Sequence, residues 1–134
     1  MNPEETLTEE IKLRCFDDMY IDKGEEKEIL QKAISLGVTI DEARVFIKSI
    51  ALRDGYVVES ELEEMALNLM KPFAENDGKI TQKEFMNAMK FLSNTSKGKV
   101  SDTELQKKLK MVVLDNNFKV KEGMLNGGSW FTSI

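Results

Sequence analysis

The sequence predicts an all-α protein: a compact bundle or array of about six short antiparallel helices. Three observations carry that expectation. Apolar residues recur at i, i+3, i+4 and i+7, as in Ala43, Phe46, Ile47 and Ile50, and again in Phe85, Ala88, Met89 and Leu92. Most of these stretches open on a Ser, Thr or Asp followed three residues later by Glu, the pattern of a capping box. Gly37, Gly55, Gly78 and Gly98 stand just ahead of those openings, where a residue of positive φ ends one helix or turns the chain into the next.

The elements follow in order. A first helix near 6–20 starts at Thr6 with Glu9. A second, near 24–36, starts at Asp22 with Glu25 and carries Ile29, Leu30, Ala33 and Ile34 on one face. The third, near 40–53, opens at Thr39 with Glu42. The fourth, near 59–71, keeps its Glu at Glu61, but Val58 has no side-chain oxygen to cap with; its face is Leu62, Met65, Ala66 and Met70. The fifth, near 81–93, opens at Thr81 with Glu84, and the sixth, near 101–114, at Ser101 with Glu104. Leu105, Leu109, Val112 and Val113 form the inner face of the sixth. An apolar residue precedes most of these starts: Ile21, Val38, Val57, Ile80, Val100. Such a residue staples against the fourth helical position and sets the angle of entry. Beyond 114 the pattern decays. Asn116 takes the glycine place, and Gly123, Gly127 and Gly128 rule out another long helix. The expected organisation is one helical domain over 1–114 and an irregular tail over 115–134.

Composition narrows the chemistry. The chain of 134 residues has no His, which removes the commonest general base and zinc ligand. Ser-His-Asp and Cys-His arrangements are therefore impossible, there is no glycine-rich phosphate loop, and the expectation is a protein that is not an enzyme. The single cysteine, Cys15, has no partner in the chain and is expected to be a small buried hydrophobe. No apolar run is long enough to span a membrane, and the acidic start, MNPEETLTEEIK, is unlike a signal peptide. A soluble, cytoplasmic protein is the expectation. The net charge of −5 is split unevenly, with residues 1–70 acidic and residues 71–134 basic. Lys107, Lys108 and Lys110 are the only cluster that suggests nucleic acid, and an isoelectric point near 4.9 opposes it.

Two family resemblances attach to the recurring turns. Residues 73–84 resemble an EF-hand loop, with Gly78 at its sixth position, Glu75 at the third, Asp77 at the fifth and Glu84 at the twelfth. The resemblance implies a calcium site built on Glu75, Asp77 and Glu84. Phe73 falls where the first ligand belongs, and it has no oxygen to offer. Weak binding of calcium or another divalent metal, or none, is expected. The repeated Asp-Gly turns at 54–61 and 77–84 also look like the helix-starting motif of TerB-like tellurite-resistance domains. These are all-helical bacterial domains, some of which have an acidic metal site. That resemblance spans roughly residues 20–113 and implies Asp54, Glu61, Asp77 and Glu84 as an acidic cluster. The simpler alternative is that each Glu caps its own helix and each Asp-Gly makes its own turn.

The functional expectation is a non-catalytic protein–protein interaction module: an adaptor, an accessory subunit or a small regulatory protein. It would use no cofactor and bind neither nucleic acid nor membrane. The alternative is a divalent-metal-responsive helical module. Trp130, Phe131 and Ile134, at the far end of the tail, are the candidate partner-binding residues, docked either on another protein or back on the chain's own helices.

Overall fold

The computed structural model describes residues 2–121 and 130–134, leaving out the side chain of Asp77. The described residues form six α-helices and one two-stranded parallel sheet, so the chain is all-α as its periodicity predicts. Contacts divide the chain into two compact units, Met1–Glu61 and Leu62–Ile134. The described part of the tail belongs to the second unit.

The first unit contains α1 (Pro3–Cys15), β1 (Tyr20–Ile21), α2 (Lys23–Ser35), α3 (Ile40–Asp54), β2 (Val57–Val58) and the opening turn of α4 (Glu59–Asp77). Its core is Leu7, Ile11 and Cys15 from α1, Ile29 and Ala33 from α2, Ala43, Ile47, Ile50 and Ala51 from α3, and Ile21 and Val58 from the strands. The buried faces of α2 and α3 are those the helical spacing marks. Ile34 is the exception, at 54% exposed. Ile21 explains the sheet. It is the apolar residue before the α2 cap, it is fully buried, and it pairs in parallel register with Val58. Strands of two residues are too short to leave a period-2 signal.

The second unit repeats this plan. After the body of α4 come Ile80, α5 (Gln82–Ser96) and α6 (Asp102–Asp115), and Ile80 forms a parallel bridge with Val120. The Ile80 amide donates to the Lys119 carbonyl at 2.8 Å, and the Lys121 amide donates to the Ile80 carbonyl at 2.8 Å. Phe85, Ala88, Met89 and Leu92 of α5 are buried, as are Leu105, Leu109, Val112 and Val113 of α6. Each unit therefore ends a helix in a turn, sets one apolar residue in an extended pair, and enters the next helix from it.

Several boundaries differ from the sequence expectation, most of all those of α1 and α4. α1 begins at Pro3, not at Thr6, because Asn2 caps it by accepting from the Glu5 amide at 2.8 Å. Proline at the first helical position has its φ preset and no N–H to satisfy. The same helix stops at Cys15, where the Met19 amide donates back to the Cys15 carbonyl at 2.9 Å and Met19 takes φ 55°. α4 runs on through Pro72 to Asp77, giving up the one hydrogen bond proline cannot donate. In the last turn the left-handed residue is Asn117, at φ 56°, one place after the expected Asn116.

Candidate functional site

A concave feature of the first unit lies between the start of α1 and the outer side of α3. It is a groove of about 750 Å³, lined by Asn2, Pro3, Glu4, Leu7, Val38, Asp41, Glu42, Val45, Phe46 and Ser49. Two caps place these walls. Asn2 and Pro3 fix the first turn of α1, which sets Glu4 at the rim and Leu7, 1% exposed, at the floor. Thr39 fixes the first turn of α3: its hydroxyl oxygen accepts from the Glu42 amide at 3.2 Å, while its O–H donates to the Glu42 carboxylate at 2.8 Å. Asp41 and Glu42 occupy that turn, where carboxylates complement the positive end of the helix dipole.

The result is an apolar trough with an acidic edge. Pro3, Leu7, Val38, Val45 and Phe46 supply carbon surface, and Val45 leaves 67% of its area in solvent. Every ionisable side chain lining the groove is a carboxylate: Glu4, Asp41, Glu42. A smaller recess of about 500 Å³ shares Asn2, Glu4 and Phe46 with it and adds Glu5, Thr8, Glu9, Lys12 and Arg53. The lining of the groove holds no cysteine, and its ionisable groups are these three carboxylates.

The acidic residues singled out by the turns have local partners. Glu84 closes a capping box with Thr81: the Thr81 amide donates to the Glu84 carboxylate at 2.9 Å, and the Glu84 amide donates to the Thr81 hydroxyl oxygen at 3.1 Å. Asp22 and Glu25 make the same box at the start of α2. Glu75 is exposed on α4, and the side chain of Asp77 lies outside the described residues. Residues 73–77 are helical, and only 78–81 link α4 to α5, so the span that resembles a ligand loop is mostly helix. Asp54 pairs with Arg53, Nε to Oδ1 at 3.1 Å, and that guanidinium holds its carboxyl below the usual range. Asp54 and Glu61 belong to the first unit, Asp77 and Glu84 to the second. Among the described residues no three His, Cys, Asp or Glu side chains converge as a metal cluster.

The tail residues pack within the second unit. Phe85 of α5 meets the Trp130 ring edge-on at 5.4 Å and the Phe131 ring at 6.1 Å. Phe131 is 6% exposed, with the Lys110 ammonium 5.5 Å above its ring. The Trp130 indole N–H donates to the Lys121 carbonyl at 3.0 Å, and Lys110 donates to the Ile134 main-chain oxygen at 3.1 Å.

Sequence reasoning missed the groove and one cross-helix cap. Val45 and Leu52 are apolar yet lie off the inner face of α3, and both are strongly exposed; that mismatch was the available signal. Glu59, in the first turn of α4, accepts from the Lys23 amide of α2 at 2.9 Å, and the Ser60 hydroxyl donates to Glu26 at 2.7 Å. Nothing local marks a partner 36 residues away. No family model, curated protein or solved structure matches this chain.

Proposed function

We propose that this chain is a non-catalytic protein–protein interaction module, an adaptor or small regulatory subunit, whose docking face is the groove between α1 and α3. One observation carries the reading: a groove of about 750 Å³ with an apolar floor, beside a valine that a water-facing helix position has no need of. Concave apolar surface ringed by polar groups is what a partner's anchoring side chains occupy. A cytoplasmic setting belongs to the same reading, because the one cysteine has no partner in the chain.

Site-specific photo-crosslinking tests it. A photoreactive side chain replaces Val45 in one sample and exposed Lys90 of α5 in another. The expected result is a discrete adduct from position 45 that a Ser49→Glu change in the same groove suppresses. Identical adducts from both positions would show that the groove is not the docking face.

A further inference from the structure

Charge and shape together say what kind of segment the groove takes. The ionisable groups on its lining are Glu4, Asp41 and Glu42, a formal −3. Two helix N-termini, those of α1 and α3, meet at this site, and each contributes about +0.5. Roughly −2 is left over, so the carboxylates outweigh the dipoles. The surrounding unit has the same sign, with 15 acidic and 8 basic side chains over residues 1–61. A basic segment is drawn to such a rim and an acidic one repelled, within a screening distance of about 8–10 Å.

The shape is that of a helix-binding face. Val45 and Ser49 stand at i and i+4 on the exposed side of α3, and Val45 is 67% exposed. That is one turn of helix, sharing the groove lining with Pro3 and Leu7 of α1. An amphipathic partner helix offers anchors at the same spacing. We infer that the groove docks a cationic amphipathic helix of another protein, its apolar face on Val45 and Phe46 and its Lys or Arg side chains beside Glu4, Asp41 and Glu42. This rests on the docking reading of the groove and adds the chemistry of the occupant.

The test titrates isotope-labelled full-length protein with two designed peptides of about 18 residues, five helical turns. One has a Leu face and a Lys face; the other is identical except that Glu replaces Lys. The expected result is that the Lys peptide shifts the amide resonances of Val38, Asp41, Val45 and Phe46. Its affinity should drop at least tenfold in Val45→Asp and severalfold in the Glu4→Gln, Asp41→Asn double variant, which removes charge without touching the core. Binding should also weaken as salt rises. If the Glu peptide binds the groove equally well, the cationic occupant is wrong while the docking face stands. If neither peptide perturbs these residues, both readings fall. If sedimentation shows self-association that Val45→Asp abolishes, the occupant is a second copy and the inference is overturned.

Discussion

Burial above all, with the carboxylates of Glu25, Asp18 and Asp22 adding to it and Arg14 working against them, pushes the Cys15 thiol up to about 12. The side chain is fully buried in the core of the first unit. The neutral thiol is the form that folding prefers, so its contribution to stability is complete below about pH 9, where the unfolded thiol begins to ionise. That contribution is lost as the pH rises toward 12. Urea midpoints measured across this window should fall more steeply for the native chain than for Cys15→Ala, and alkylation near pH 8 should require unfolding. Backbone geometry supplies a second prediction at this scale. Lys97 is exposed and sits in the left-handed region at φ 53° as the C-cap of α5. A non-glycine residue there costs about 1–2 kcal/mol. Lys97→Gly should therefore raise stability by about 0.5 kcal/mol once the greater freedom of glycine in the unfolded chain is subtracted. A loss of stability would mean the lysine side chain contributes something its exposure conceals.

Helix starts are where the elements of this protein are most sharply specified. Thr81 and Glu84 satisfy each other's amides within one turn, so Thr81→Ala should cost about 1 kcal/mol in a thermal melt. The cost should be the same in calcium and in chelator. A loss confined to calcium would transfer these oxygens from the helix to a metal. The start of α2 is different, because one of its acceptors comes from another element. Glu59→Ala removes the partner of the Lys23 amide across the β1–β2 pair and should also cost about 1 kcal/mol by urea denaturation. The capping box of Asp22 and Glu25 survives that substitution, so α2 should remain helical by circular dichroism.

Across the molecule, two units run the same sequence of turn, extended pair and helix. Ile21 and Ile80 are both fully buried and both hold the parallel pairing of their unit. Hydrogen exchange on Ile21→Ala should show its largest loss of protection within residues 2–61, and on Ile80→Ala within the second unit. The reverse pattern, or an equal loss everywhere, would contradict the division. The tail belongs to this scale as well. Phe131 closes over Phe85 beneath the Lys110 ammonium. Phe131→Ala should lower stability by roughly 1.5–3 kcal/mol and should move the emission of the chain's one tryptophan, which packs 5.6 Å from that ring.

Helix number, the buried faces of α3 to α6 and most helix starts were legible in the sequence, because each depends on residues within a turn or two of one another. Ala43, Ile47 and Ile50 declare their face by spacing alone, and Thr81 meets Glu84 three residues on. The ends of α1 and α4 were harder to read, since a proline starts one and is absorbed by the other. The parallel pairs, the Glu59 cap, the packing of Phe131 and the groove walled by Leu7 and Val45 join residues far apart in the chain. Periodicity holds no record of such pairings, because which distant residues meet depends on how finished helices pack.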